Sequence, residues 1–350
     1  MPDKVDRSPF KTFIKRKKFR CPFLFILNDQ IAVMPVISLD LGGTKLASAL
    51  FSDEGVILFS ETLLVNNKKG KEIGDMILQQ ANYLLTKASK KNISVQALGI
   101  CVPGIAYAKS GKVWAPNIPG WEDYPLLDEL QNGITDKSVI IKIDSDRSCY
   151  ILGEAWRGNA RGCSDAIFLS VGTGIGAGIL VNHQVLRGAN DIGGAVGWLG
   201  LSKPFHQKYI SCGDFEYHAS GPGIVKVAQE LLEENKFPES ILLSINNESL
   251  SAKDIFNAYH KGDALAMAVI NNAIEYWGMA VANLVSIFNP EKIIFGGGVF
   301  GPALQFLDAI YAAAVKWAQP ISIQQVKLQG SQLGTKAGLY GAGFLALKIK

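Results

Sequence analysis

From residue 36 onward the chain is laid out as short apolar runs that stop at glycine. Residues 36–39, 46–51 and 56–64 are rich in aliphatic and β-branched side chains, with Gly42-Gly43-Thr44 and Asp53-Glu54-Gly55 between them. That pattern predicts strand, tight turn, strand, tight turn, strand. The period then lengthens: residues 73–89 carry helical spacing, and a buried strand over 97–101 ends at Pro103-Gly104. Residues 138–143 read as a strand running into Asp144-Ser145-Asp146, and 149–156 fit a helix. At Ala166 the opening pattern returns, with a strand over 167–171, the turn Gly172-Thr173-Gly174, a strand over 175–181, a turn over 182–184 and a strand from Val185. The two glycine turns lie roughly 130 residues apart, too far for a solenoid repeat and right for a duplicated domain. Helices are predicted near 224–234, 252–259 and 264–288, a strand over 292–295, and a helix over 302–316. Met267, Trp277 and Met279 in the long helix read as core. The fold class expected is α/β, two similar halves facing each other.

A chain of 350 residues, 48% hydrophobic and 19% charged, can bury a full core and form about two domains. Disorder, collagen and small disulfide scaffolds are excluded, and no apolar run is long enough to span a bilayer. The net charge is +4, but the first 33 residues hold eight Lys/Arg against Asp3, Asp6 and Asp29, which leaves 27 basic and 28 acidic residues beyond them. The surplus sits around Lys15, Arg16, Lys17, Lys18 and Arg20, so the body is neutral and its charge gives no case for a nucleic-acid or membrane partner. Residues 1–33 are expected to be a basic extension outside the fold, with a leader or a basic tether as the other readings. Five cysteines, odd in number and without CxxC, suit a reducing cytoplasm.

Three glycine-rich sites carry candidate chemistry. Asp40-Leu41-Gly42-Gly43-Thr44-Lys45 sets a carboxylate at a strand end before a turn whose missing Cβ atoms let backbone N–H groups approach an anion. Asp40 there suits Mg²⁺ held through water; the other reading is an ordinary hairpin turn. Gly172-Thr173-Gly174-Ile175-Gly176-Ala177-Gly178 matches the loose dinucleotide pattern, but Ile179-Leu180-Val181 follow where that fold needs a helix, so a hairpin turn fits better. Two such cradles aimed at one cleft could grip the β- and γ-phosphates of ATP. Gly296-Gly297-Gly298 suits close approach of an adenosine, or is a plain strand-to-helix turn. No Walker A motif occurs.

These turns, with Pro103-Gly104, Ala115-Pro116-Asn117, Asp146 followed by Glu154, and the glycines of residues 338–343, stand in the order seen in ROK proteins, and over residues 36–346 the chain resembles that family. ROK proteins are bacterial sugar kinases and sugar-responsive repressors. The resemblance implies duplicated actin-like (ribonuclease H-like) domains flanking an ATP/sugar cleft, over 34–146 and 147–334, with a C-terminal helix at about 335–350 packing back on the first. It implies ATP and Mg²⁺, a sugar substrate, a homodimer and Asp146 as general base, with Asp144 a neighbouring competitor. Gly104, Asn117, Ser145 and Glu216 fall at sugar-facing positions.

The departures alter the pocket. Ser145 replaces the usual Asn, and Ala195 and Trp198 replace the Glu and His of G-E-x-G-H. The zinc motif's cysteine positions fall on Gln207, Tyr209 and Asp214, so no zinc is expected, and Trp198 is expected to fill space left by that loop. Glucose is therefore disfavoured as substrate. A sugar sensor or regulator that has lost its DNA-binding domain is the second reading, and a kinase that binds without turnover the third.

Overall fold

The computed structural model describes residues 34–52 and 54–348; the extension expected over 1–33 and the turn residue Asp53 lie outside the described residues. β1 (Val36–Leu41), β2 (Lys45–Phe51) and β3 (Ile57–Leu64) form an antiparallel meander, followed by α1 (Lys71–Ser89) and β4 (Ala97–Val102). A small hairpin, β5 (Ile105–Ala106) with β6 (Val113–Trp114), and α2 (Leu126–Gly133) lead to β7 (Ile140–Ser145). α3 (Asp146–Arg157) then enters the second half. There β8 (Ala166–Val171), β9 (Ile175–Val181) and the two-residue β10 (Gln184–Val185) repeat the meander. α4 (Asp214–Ala219), α5 (Gly221–Glu233), α6 (Ala252–His260) and α7 (Ala264–Phe288) precede β11 (Lys292–Gly296). α8 (Leu307–Val315), β12 (Lys327–Gly330) and α9 (Ala337–Leu347) complete the chain as described.

Among the described residues two five-stranded sheets have orders β3-β2-β1-β4-β7 and β10-β9-β8-β11-β12, the same arrangement twice. Burial explains the strand sequences. β4 is buried at every position and reads as a continuous apolar run, whereas β3 alternates between half-buried and exposed as an edge strand does. The first core gathers Ile37, Leu39, Ile77 and Trp121; the second gathers Phe215, Trp277, Phe295 and Phe300.

Several expectations are corrected. α3 begins at Asp146 rather than at 149, because the Ser145 hydroxyl accepts the Ser148 N–H and caps the helix there. The helix expected over 302–316 is a 3₁₀ turn, Pro302–Phe306, followed by α8. Met267 is 41% exposed and outside the core, while Trp277 is fully buried and Met279 packs at the core's margin.

α9 packs on the first sheet and on α3. The Ser38 hydroxyl donates to the Leu339 carbonyl at 2.5 Å, and Leu339, Ala346 and Leu347 join Val36, Phe51 and Ala97 in one cluster. Glycines make this approach: a Cβ on Gly341 would lie 1.8 Å from the Cys149 carbonyl oxygen, and one on Gly99 would lie 1.8 Å from that of Ala342. Because backbone cannot give way as a flexible side chain does, Gly341→Ala is expected to cost about 1–3 kcal/mol, read by urea unfolding. Unchanged stability would show that the helices have room to part.

Candidate functional site

The strand directions collect the candidate residues at sheet ends. β1, β4 and β7 run parallel, so the Gly42 turn, Pro103-Gly104 and Asp146 all leave the carboxyl edge of the first sheet. β8, β11 and β12 run parallel too, so the Gly172 turn, Gly297-Gly298 and Ser331 leave the corresponding edge of the second. Carboxyl edges of α/β sheets are where ligands bind.

At the first edge, Gly42 N–H donates to the Lys45 carbonyl at 2.9 Å and closes the turn. Gly43, Thr44 and Lys45 are exposed, and nothing lies within 4 Å of a Cβ placed on Gly43. Asp40 stands behind them. Its carboxylate accepts from the Cys101 thiol, and burial raises its pKa to about 6, opposed by that hydrogen bond and by the Lys45 charge. A Cβ on Gly338 of α9 would meet Asp40 Oδ2 at 2.5 Å, so this glycine leaves the space the carboxylate occupies.

At the second edge, Gly172 N–H donates to the Gly174 carbonyl at 2.9 Å, and the segment is a β-hairpin, as expected. Its alternate glycines share one face of β9, since side chains on a strand repeat every second residue. A Cβ on Gly174 would lie 2.9 Å from Glu216 Oε2, one on Gly176 2.7 Å from Arg147 Cδ, and one on Gly178 2.0 Å from the Arg147 carbonyl. Glu216 Oε2 accepts the Ile175 N–H at 2.6 Å; burial raises its pKa while that bond opposes the rise. Val299 N–H donates to the Val171 carbonyl at 3.1 Å, which sets the Gly296-Gly297-Gly298 run beside the turn. Gly297 has φ 89° and Gly298 faces open space. Gly221 N–H donates to the Gly172 carbonyl at 2.8 Å, and Gly221 also lines a cavity of about 440 Å³ with Val225, Gln229 and Leu250.

Asp146 opens α3 between these edges. Burial raises its pKa to about 6; the Arg147 charge and the Arg147 N–H, which donates to Oδ1 at 2.8 Å, oppose the rise, and the Asp40 charge adds to it. Asp144, the competitor, is committed elsewhere: Oδ1 accepts the Ser145 N–H at 2.8 Å and Oδ2 is ion-paired with Arg187. Ser145, expected at a substrate-binding position, is buried with its hydroxyl spent on the α3 cap, so its part is to fix where Asp146 sits. Glu154 is fully buried, accepting from Asn159 N–H at 2.7 Å, Leu333 N–H at 3.1 Å and the Ser331 hydroxyl, which ties α3 to the segment after β12.

Gly104 has φ 84°, and its carbonyl accepts from Arg147 Nη2 at 3.4 Å. Asn117 is exposed and lines a cavity of about 470 Å³ with Gly42, Gly43, Asn67, Lys68 and Lys69. The sequence reading missed Lys68, Lys69 and Arg147. The polar run Asn66-Asn67-Lys68-Lys69-Gly70 straight after β3 was the available signal for the lysines.

Trp198 does not fill the space of the lost zinc loop: it is 58% exposed. Asp214 organises that loop instead. Its Oδ2 accepts from Leu201 N–H at 2.7 Å and Ser202 N–H at 2.8 Å, and its Oδ1 accepts from the Ser202 hydroxyl at 2.9 Å. Tyr209 Oη lies 3.0 Å from His218 Nε2, and the His218 ring stacks on Tyr276 at 4.4 Å. Among the described residues no group of three or more His, Cys, Asp or Glu side chains is placed to hold a metal ion, and the Asp214 oxygens are already engaged. The described cysteines are free thiols, and no described helix is long and apolar enough to cross a membrane.

The chain shares its fold with the ROK family glucokinase of Streptomyces griseus solved with glucose and AMPPNP, at a TM-score of 0.69 and 28% identity, covering 89% of this chain and 99% of that one. This is the actin-like ATPase fold, with its two related sheets. The ROK family model matches residues 36–349, and the chain belongs to that family. A glucokinase of Halalkalibacterium halodurans is 31% identical over 88% of this chain and 94% of the glucokinase. A xylose repressor of Caldicellulosiruptor bescii is 30% identical over 95% of this chain and 82% of the repressor.

Asp214→Ala strands the Leu201 and Ser202 N–H groups, and a loss of about 2–3 kcal/mol is expected in urea unfolding, with Asp214→Asn intermediate. Metal analysis of the purified chain is expected to find far less than one zinc per molecule; stoichiometric zinc would contradict this account of the loop.

Proposed function

We propose that the chain is an ATP-dependent kinase acting on a hydroxyl of a sugar or sugar derivative, with Asp146 as general base. The observation that carries this is the contrast at the sheet edge: Asp146 has a raised pKa and no ion pair among the described residues, while Asp144 is ion-paired with Arg187. An alcohol barely ionises at neutral pH, so a carboxylate must take its proton as the γ-phosphoryl group moves in line. The bond from the γ-phosphorus to the β-phosphate oxygen breaks, a bond to the sugar oxygen forms, the proton goes to Asp146 and ADP departs. A group titrating near pH 6 is ionised at neutral pH yet still basic enough to accept.

The other residues bind and orient. Backbone N–H groups of residues 42–45 and 172–174 hold the phosphates, and Gly296-Gly297-Gly298 with the cavity at Gly221 takes the adenosine. Mg²⁺ held by Asp40 through water, when bound, would neutralise charge on the β- and γ-phosphates. The open glycine turn in front of this buried carboxylate supports that fit. Gly104, Asn117 and Glu216 face the acceptor. Residues 34–146 with α9, and 147–334, are taken as the bodies that close over it and exclude water. Ala195 and Trp198 move the pocket away from glucose. Similarity to a xylose repressor supports sugar sensing as the second reading, which Mg²⁺-ATP turnover across hexoses, N-acetylhexosamines, ketoses and polyols would separate. Turnover on none of them favours the sensor.

Asp146→Asn is expected to lower kcat by about 10²–10⁴-fold with nucleotide binding retained. Wild-type kcat/KM should fall as pH drops through about 6, where Asp146 gains its proton. Stability moves the other way. Between about pH 4 and the raised folded value, the folded state holds a proton that the unfolded chain has lost, so ionising Asp146 costs stability as pH rises through that window. Asp146→Asn should therefore gain about 1–2 kcal/mol at pH 7.5 in thermal unfolding. A variant with near-wild-type turnover would remove Asp146 from its role.

A further inference from the structure

We propose that the acceptor is a sugar bearing an anionic substituent, a carboxylate or a phosphate, and that Arg147 is the residue that selects it. This rests on the kinase reading above and names its substrate class.

Arg147 follows Asp146 directly, so its position in the cleft is tied to that of the base. Its stem crosses β9 over Gly176, and its guanidinium reaches the Gly104 carbonyl at the edge of the first sheet. Gly174, two residues along the same face of β9, leaves room for Glu216. Arg147 therefore lies among Asp146, Gly104 and the strand that holds Glu216, on the acceptor side of the site.

The guanidinium is under-used there. Among the described residues its one side-chain hydrogen bond is 3.4 Å long and no carboxylate forms an ion pair with it. Arg187, by contrast, is neutralised by Asp144. A guanidinium carries five N–H donors in a planar fork that matches two oxygens of a carboxylate or phosphate. Partly buried beside the base, whose ionised form its charge favours, it presents a planar fork to two oxygens of a further anion.

A second observation points the same way. The cavity of about 470 Å³ beside the Gly42 turn is lined by Lys68, Lys69 and the amides of Asn66, Asn67 and Asn117, with no acidic side chain. Neither lysine is ion-paired among the described residues. Beyond residue 33 the chain has 27 basic and 28 acidic residues, so this local excess stands against a neutral background. This field borders the turn assigned to the ATP phosphates, and an anionic group on the acceptor gains from it as well. Arg147 would also shield Asp146 from the incoming negative charge and keep the base ionised.

The test uses the full chain with Mg²⁺-ATP and compares a hexonate, a hexuronate and a hexose 6-phosphate with glucose and N-acetylglucosamine. At least one anionic acceptor should show kcat/KM about tenfold or more above its neutral parent, an advantage that shrinks as salt is raised. The carboxylate and phosphate arms identify which group is recognised. Arg147→Ala should collapse the anionic-to-neutral ratio mainly through KM, and Arg147→Lys should restore part of it. A neutral sugar preferred over every anionic one, or a ratio unmoved in Arg147→Ala that still binds ATP, overturns the proposal while leaving the kinase standing. If no acceptor is phosphorylated, the kinase reading falls, and tryptophan-fluorescence titration with the same sugars decides. Binding that favours the anionic sugar and is lost in Arg147→Ala upholds Arg147; binding indifferent to charge or to the substitution overturns it.

Discussion

Placing two carboxylates together in a partly buried edge is the constraint around which this molecule is arranged. Asp40 lies on β1 and Asp146 opens α3 directly after β7; burial strips both of hydration and raises each pKa to about 6, and the Asp40 charge adds to the rise at Asp146. Such an arrangement persists only where the surrounding backbone holds it. α3 and α9 meet through Gly341, α9 yields to Asp40 at Gly338, and β9 receives α3 at Gly178. The glycines are thus clearances that bring three elements to one edge.

The same economy governs the loop that family resemblance associates with zinc. Asp214 draws in the backbone of Leu201 and Ser202, and the His218–Tyr276 stack packs beside it. Charge-assisted hydrogen bonds from the Asp214 carboxylate hold this loop. Because Glu216 follows two residues later on α4 and accepts the Ile175 N–H, this network is mechanically joined to the second glycine turn.

Most of the fold could be read from the chain, because its strands are separated by glycine turns and its period switches plainly from two to 3.6. The Gly172 turn was identifiable as a hairpin from the aliphatic residues after it. The start of α3 was also legible, in the capping Ser145, but was placed three residues late because Asp144-Ser145-Asp146 reads as a strand end. Other features had no local signal. Asp214, Ser202 and Tyr276 meet only in the folded state, and Trp198 looked like a filler until its exposure was known. Arg147, a charge next to a charge, resembles any solvated helix start until the sheets bring Gly176 and Gly104 to it.

The most direct measurement is a structure of the chain with a non-hydrolysable ATP analogue and an acceptor sugar. The β- and γ-phosphates are expected to receive N–H groups from both glycine turns, with Asp146 at hydrogen-bonding distance from the acceptor hydroxyl that faces the γ-phosphorus. Phosphates held by one turn alone, or an Asp146 carboxylate directed away from the acceptor, would contradict the account.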